Sequence, residues 1–515
     1  MDRTHERIED RGVGAEAVAL AEAVDELRAR ALAEEASGAS WLERVHPERR
    51  ASARNLLHYV SMRRVDLRPI QPRLSSLGLS SLGRAESCVL ASLGAVRRAL
   101  AALAGEAPAE TVTEPDVVGP ARGQALLADQ TERLLGPTPA HRDERVMVTM
   151  PTQAADAPDV TRQCLAGGMD VMRVNGAHDG PERWSRMIHH LREAERELGR
   201  TCRVQLDLPG PKIRTSRLAD PDEPIPVRVG DEMKLKGPHE PCRTPLRDAD
   251  GRVTHPALVG CSAVEALDAL AVGDEVWFDD GKFGALVRSV KPGSARLEVT
   301  HAPPKGALLR GDKGINLPST HVPIETPTGA DLACLDFAAE RADIVALSFV
   351  RSPGEIDRVR EALRERGAPD LPILLKVETR QAFNRLPELL LALMRSPVSG
   401  VMIARGDLAV ECGWERLAEA QEEILWTCEA AHMPVVWATQ VLETLAKKGR
   451  PTRSEVTDAA MAERAEGVML NKGPFIVEAM RALDGILGRM ASHQHKKRAE
   501  LRALGMARAF NASGE

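Results

Sequence analysis

The stretch ILLKVETRQAFNRLPELLLALMRSPVSGVMIARGDLAVE, residues 373–411, decides the fold. It opens on a short apolar run, Ile373–Val377, passes through a leucine-rich helical pattern, and closes on a second apolar run, Gly400–Ala404. Two buried strands separated by a helix describe a βαβ unit with parallel strands. Both runs end on ionisable groups: Lys376 and Glu378 on the first, Arg405 and Asp407 on the second. The i, i+2 spacing is the strand period, so both members of each pair are expected to point to one side.

The same texture extends in both directions. Val146–Thr149, Val171–Val174, Arg203–Leu206, Ile344–Ser348, Pro434–Ala438 and Gly467–Leu470 complete a set of eight candidate strands, mostly separated by helical patterns. The third gap is the exception. Residues 215–312 carry Gly- and Pro-punctuated β patterns such as GDEVWFDDGKFGALVRSV. The expected fold is therefore α/β: a (β/α)8 barrel over 144–214 and 313–490, with a small β-barrel lid inserted after strand three at 215–312. Residues 1–105 form an N-terminal α-helical region, with apolar positions recurring at three and four, as in Val18, Leu20, Ala21, Val24 and Leu27. Residues 106–143 read as a linker with one short helical piece near Gln124–Leu135, and 491–515 as a terminal helix and tail. The basic segment Arg63–Arg84 suits either an anionic effector or a solvated surface.

The 515 residues are 43% hydrophobic and 28% charged, with a formal net charge of −6. That balance gives no reason to expect nucleic acid or an anionic membrane as a partner. The polar N-terminus lacks a signal peptide's apolar core, and no long uncharged apolar run appears, so a cytoplasmic protein is expected. Eight scattered cysteines without a CxxC pair indicate neither a zinc site nor a disulfide framework.

Active groups of such barrels sit at the C-terminal strand ends. Here those ends carry Arg173 and Asn175, Asp207, Ser348, Lys376 and Glu378, Arg405 and Asp407, and Thr439. Glu378 and Asp407 could form ordinary salt bridges at the barrel mouth. Two carboxylates on adjacent strands beside a lysine also suit a hard divalent cation bridging to a phosphate. Lys376 would then stabilise charge on a phosphoryl group in transit.

The strings GMDVMRVNGAHDG (168–180), LDLPGPKIRT (206–215), VGDEVWFDDGK, KGINLP, ALSFVR, LLKVE, VMIARGDLAVE, WATQVLET and RPTRSEVTDAA resemble, in order, the motifs of the pyruvate kinase family. The resemblance runs from about Val146 to Leu487. It implies phosphoryl transfer from phosphoenolpyruvate to ADP, giving pyruvate and ATP. Carried over, Arg173 would hold the substrate phosphate, and Lys376 would stabilise the phosphoryl group. Glu378 and Asp407 would bind Mg2+ or Mn2+. The Gly406 amide, Thr439 and Ser348 would complete the substrate site. Asn175, His178, Arg214 and Lys313 would face the nucleotide. Asn175 and Asp207 would lie at the monovalent-cation site. The lid would exclude water.

The sequence also departs from the family. Ala177 and Leu208 stand where potassium-dependent members carry Ser and Thr oxygens, and Lys212 stands where they carry Glu. A lysine ammonium replacing the cation implies that K+ is not required. The strand-one loop VTMPTQAAD lacks the family's glycine, and the strand-eight loop LNKGPF replaces LSGETA, introducing Lys472. The family's C-terminal regulatory domain is not expected after residue 490, so assembly as a homo-oligomer is left open. Two other readings compete: a barrel lyase acting on phosphoenolpyruvate or oxaloacetate, and a catalytically impaired regulator.

Overall fold

The structure, a computed structural model, describes residues 6–106, 117–491, 493–496 and 498–499. Eight parallel strands close into a barrel: β1 (Arg145–Thr149), β2 (Val171–Asn175), β3 (Arg203–Asp207), β4 (Ile344–Leu347), β5 (Ile373–Val377), β6 (Ser399–Ala404), β7 (Val435–Val441) and β8 (Gly467–Leu470). β1 pairs with both β2 and β8, completing the ring. Strands buried on both faces need apolar residues at nearly every position, which explains their short unbroken apolar runs. Helices follow the strands and pack outside, as with the 18-residue helix Pro181–Leu198, which buries Trp184, Met187, Ile188, Leu191 and Ala194.

The barrel is stoppered at its N-terminal end. Residues 106–143, expected as a linker, contain the helix Pro120–Leu135, with proline at its start and Gly136 after its end. Its last residues, Leu134 and Leu135, are fully buried among Met147, Leu374, Met402, Val436 and Met469. At Gly400 a Cβ would lie 2.4 Å from Leu134 Cδ2, so the missing side chain makes the room. The short helical piece expected near Gln124–Leu135 is this helix, longer by four residues at its start, and the barrel floor supplies its reason to fold. Residues 107–116 of that stretch lie outside the described residues.

The insert after β3 has its own core, including stacked Phe278 and Phe283 with ring centroids 4.8 Å apart. Its six-stranded sheet runs in the order Ile315–Asn316, Glu275–Phe278, Phe283–Lys291, Ser294–His301, Glu232–Lys236, Ala257–Gly260. Residues 213–216 bridge its two edges, pairing with Lys313 and Ile315 on one side and, through Ser216 N–H to Gly260 O at 2.9 Å and Ser262 N–H to Arg214 O at 2.8 Å, with the other, so hydrogen bonding closes the expected small β-barrel. The two connections to the large barrel lie side by side: Thr215 N–H donates to Lys313 O at 2.7 Å and Ile315 N–H to Ile213 O at 2.8 Å.

The N-terminal helices include α1 (Glu6–Ser37), α2 (Arg50–Arg63) and α3 (Val89–Leu103), which share one apolar core with the barrel helices. A barrel helix, Leu417–Ala430, ends against them. Its last carbonyls lack intrahelical partners. Asn55 Nδ2 donates to Ala430 O at 2.8 Å, and Arg49 Nη2 to Ala431 O and His432 O at 3.3 Å. Three of the five arginines of the basic segment are engaged with acids, Arg64 with Glu34, Arg68 with Asp66 and Arg73 with Glu16, and Arg63 donates to the Tyr59 hydroxyl at 2.7 Å. Beyond the helix Ile476–Met490, Gln494–His495 and Arg498–Ala499 form a short antiparallel pair where a helix was expected; residues 492, 497 and 500–515 lie outside the described residues. All eight cysteines are buried and free. Among the described residues no helix is long and apolar enough to cross a membrane.

Candidate active site

The C-terminal strand ends assemble one continuous charge cluster. Adjacent β2 and β3 put Asn175 opposite Asp207 and Arg173 opposite Gln205. Arg173 donates to Asp207 Oδ2 through Nε at 3.0 Å and Nη2 at 2.7 Å, and to Thr149 Oγ1 through Nη1 at 2.8 Å. Gln205 Nε2 donates to the other oxygen of Asp207 at 2.7 Å. Lys376 Nζ lies 3.5 Å from Asp207 Oδ2, 2.8 Å from Glu378 Oε1 and 2.8 Å from Ser348 Oγ. The Ser348 hydroxyl in turn donates to Leu208 O at 2.8 Å. Glu378 Oε2 accepts from the Phe349 amide at 2.7 Å.

These side chains are nearly dry: Asp207 is 1%, Glu378 3% and Lys376 8% exposed. Burial opposes ionisation of Asp207, but Arg173 and Lys376 outweigh it and hold the carboxyl below its ordinary range. Burial likewise opposes the Lys376 charge, and Glu378 with Asp207 overcomes it, raising its pKa. Glu378 goes the other way. Burial pushes it up, Lys376 pulls it down, and Asp407 pushes it up again. A buried carboxyl frustrated by a second carboxylate is a site that a further positive charge would relieve.

Asp407 does not belong to a strand. The chain turns into the helix Arg405–Cys412 directly after β6, and Asp407 occupies its first turn. The expectation that Arg405 and Asp407 share a side therefore fails. Arg405 turns back to pair with Asp458, and its guanidinium lies 4.9 Å from the Trp437 ring centroid. Asp407 instead receives Lys212 Nζ at 3.0 and 3.3 Å. Lys212 also lies 3.7 Å from Asp280 of the lid and 5.3 Å from the Phe349 ring centroid. Thr439 adjoins Gly406: a Cβ at Gly406 would stand 3.3 Å from Thr439 Oγ1.

The groups expected at the nucleotide are arranged in two places. Asn175 Oδ1 accepts from the Ala177 amide at 3.1 Å, a local turn that leaves His178 exposed. Arg214 and Lys313 sit on the paired connections to the lid; Lys313 Nζ lies 3.0 Å from Asp279, and Arg214 Nη1 donates to Asp312 O at 3.2 Å. The β3 exit is held by Gly210, at φ 64°, where a Cβ would meet Ser348 O at 2.6 Å; no L side chain fits there. Ala177 is exposed and Leu208 buried, and neither has a side-chain oxygen.

Residue-by-residue reading missed Gln205, Thr149, Asp279 and Asp280. Gln205 had a signal, since it stands two before Asp207 on one strand. The lid aspartates had none locally, because only docking of the lid brings them to Lys212 and Lys313. Among the described residues no three His, Cys, Asp or Glu side chains converge as a metal cage. Glu378 and Asp407 offer two carboxylates. That donor set fits Mg2+, which takes one or two carboxylates and fills its shell with water and substrate oxygens.

Comparison with known proteins agrees with this geometry. The sequence model of the family described as "Pyruvate kinase, barrel domain" matches residues 141–475. A pyruvate kinase of Geobacillus stearothermophilus is 31% identical over 340 residues, 65% of this chain and 54% of its own length. One of Bacillus licheniformis is 30% identical over 352 residues, 67% of this chain and 57% of its own. One of Methylorubrum extorquens is 33% identical over 342 residues, 65% of this chain and 66% of its own. The match thus spans little more than half the length of the first two relatives. With the closed barrel and the strand-end cluster at the motifs that the match covers, the chain belongs to the pyruvate kinase family.

Proposed function

We propose that the protein transfers the phosphoryl group of phosphoenolpyruvate to ADP, giving pyruvate and ATP, with Mg2+ or Mn2+ and without a requirement for K+. The observation that carries this reading is the buried run Arg173–Asp207–Lys376–Glu378, continued by Asp407 and Lys212. Arg173 binds the substrate phosphate, its guanidinium oriented by Asp207 and Thr149. Lys376, fixed by Ser348 and Glu378, places its ammonium against the equatorial oxygens as the P–O bond to the enol breaks and a bond to the ADP oxygen forms. Thr439 Oγ1 and the Gly406 amide orient the substrate. Glu378 and Asp407 would hold the divalent cation, which when bound neutralises phosphate charge. The enolate left behind takes up a proton to become pyruvate. Asn175, His178, Arg214 and Lys313 face the nucleotide phosphates, and lid closure keeps water from competing with ADP. A cytoplasmic location goes with this reading.

Lys212 supports independence from potassium. Its ammonium already supplies a positive charge at Asp407, while Ala177 and Leu208 withhold the oxygens that a monovalent cation needs. The test supplies phosphoenolpyruvate, a nucleoside diphosphate and Mg2+, and follows pyruvate with and without KCl at fixed ionic strength. Pyruvate formation with a flat KCl response is expected. No turnover with any nucleoside diphosphate overturns the proposed activity; a steep rise with KCl overturns the role of Lys212.

A further inference from the structure

One short helix seats the lid. That helix, Arg405–Cys412, carries Asp407 in its first turn. Asp407, Val410 and Glu411 stand at i, i+3 and i+4, the spacing that puts side chains on one helix face. Each of the three meets the lid side. Lys212 joins Asp407, at 3.0 Å, to Asp280, at 3.7 Å. Gly281, at φ 81°, comes so close that a Cβ there would stand 2.9 Å from Val410 Cγ2. Asn316 Nδ2 donates to Glu411 Oε1 at 3.1 Å.

The lid's share of the contact is equally compact. Asp280 and Gly281 lie in the turn between Glu275–Phe278 and Phe283–Lys291, and Asn316 lies opposite Trp277 on the strand paired with Glu275–Phe278. The gap beside them is about 60 Å³, well short of the roughly 300 Å³ of a small ligand pocket, so this face is a seat and not a second binding site.

Asn316 and Glu411 make a buried polar contact in that seat, at 4% and 7% exposed. Glu411 is anchored from the barrel side. Its Oε2 accepts from the Arg380 amide at 3.4 Å, and Arg380 Nε donates to Glu411 O at 2.8 Å. Arg380 follows Glu378 by two residues. Glu411 therefore ties the lid to the segments that carry both carboxylates of the candidate site. The contact is also built to release. Asn316 Oδ1 has no hydrogen-bond partner, and burial pushes the Glu411 carboxyl up. Both groups regain water when the lid lifts, which offsets much of the contact's strength. We infer that Asn316 and Glu411 are positioning residues: their hydrogen bond seats the lid on the Arg405–Cys412 helix and so brings Arg214 and Lys313, at the lid's root, to the nucleotide. The effect on turnover rests on the reaction proposed above; the seating itself does not.

The test exchanges the two groups. Asn316→Asp sets a second carboxylate against Glu411 and should lift the lid. Adding Glu411→Gln returns an amide donor from the opposite side and should seat it again. Spin labels at Val290→Cys on the lid and Met461→Cys on the barrel, both exposed positions, report the separation in the full chain by pulsed electron resonance, since the eight native cysteines are buried. The parent should give one narrow distance distribution, N316D a broader and longer one, and N316D/E411Q the parent's again. Asn316→Ala removes the donor without adding charge, should also broaden the distribution, and covers the case in which N316D fails to fold. In turnover, N316D should raise KM for ADP about ten-fold and leave KM for phosphoenolpyruvate nearly unchanged, because Arg173, Lys376 and Thr439 all belong to the barrel; the double variant should reverse the rise. Parent-like distributions in the folded Asn316 variants, a double variant that stays open, or an unchanged KM for ADP with the lid open overturns the inference. A chain that seats its lid in this way and turns over no nucleoside diphosphate overturns the proposed reaction and not the seat.

Discussion

Replacing Lys376 with methionine keeps the length of the side chain and removes one positive charge from among Asp207 and Glu378. The contacts at 2.8 Å to Glu378 and 3.5 Å to Asp207 set the scale. At an effective dielectric of about 20 they correspond to gross attractions of about 6 and about 5 kcal/mol. Desolvation of the ammonium and the nearness of Arg173 offset much of this. Breaking one side of a buried ion pair costs about 3–5 kcal/mol net. The loss depends on pH because Glu378 has an escape. Its folded pKa, already above the ordinary value of 4.5, rises further once Lys376 is gone. Between the unfolded and folded values the folded chain holds the extra proton, so the variant's stability falls as pH rises through that window. The expected deficit is about 3–5 kcal/mol near pH 8 and about 1–2 kcal/mol near pH 5. Scanning calorimetry of the parent and variant at both pH values measures it. Added MgCl2 should recover more stability in the variant than in the parent, since a cation between Glu378 and Asp407 replaces the lost charge. An equal deficit at both pH values refutes the account of Glu378, and no deficit at either refutes the burial argument.

Three further perturbations test other parts of the molecule. Asn55→Ala removes donors to Glu86 O and Ala430 O and the acceptor of the Val89 amide, all buried, and should cost about 2–4 kcal/mol in denaturant unfolding; a loss below about 0.5 kcal/mol would mean that the N-terminal helices are not tied to the barrel there. Glu144→Gln should stabilise the chain by roughly 2–3 kcal/mol above pH 7 and not at pH 4: the raised carboxyl imposes no penalty below its unfolded value of 4.5 and a full one above about 7, so a gain independent of pH contradicts the assignment. Lys212→Gln should lower turnover about ten- to a hundred-fold without rescue by KCl, because the oxygens at 177 and 208 are still missing; rescue by potassium but not sodium would show a monovalent site that survives.

The barrel was legible because its signals are local. A strand buried on both faces must be apolar along its length, and a functional group must follow where that run stops. Arg173, Asp207, Lys376 and Glu378 were found that way, and the structure gathers them within hydrogen-bond reach of one another. Arg405 shows the limit of the same rule. The strand period carries past a strand end only if the chain stays extended, and here it coils at once into a helix. The helical piece near Gln124–Leu135 was legible, but its place as a stopper was not: Leu134 and Leu135 look unremarkable until the barrel floor, with Gly400 leaving space, gives them something to bury.

The sequence by itself thus determined the eight-strand alternation, the position of the insert and the identity of the strand-end charges, since each depends on neighbours two to four residues apart. Only the tertiary structure decided which charges meet. Lys212 reaches Asp407 across 195 positions of chain, and Asp279 and Asp280 come to Lys313 and Lys212 through the docking of the lid. Ion pairing depends on distance in space and on the exclusion of water, and neither quantity is written in the spacing of residues along the chain.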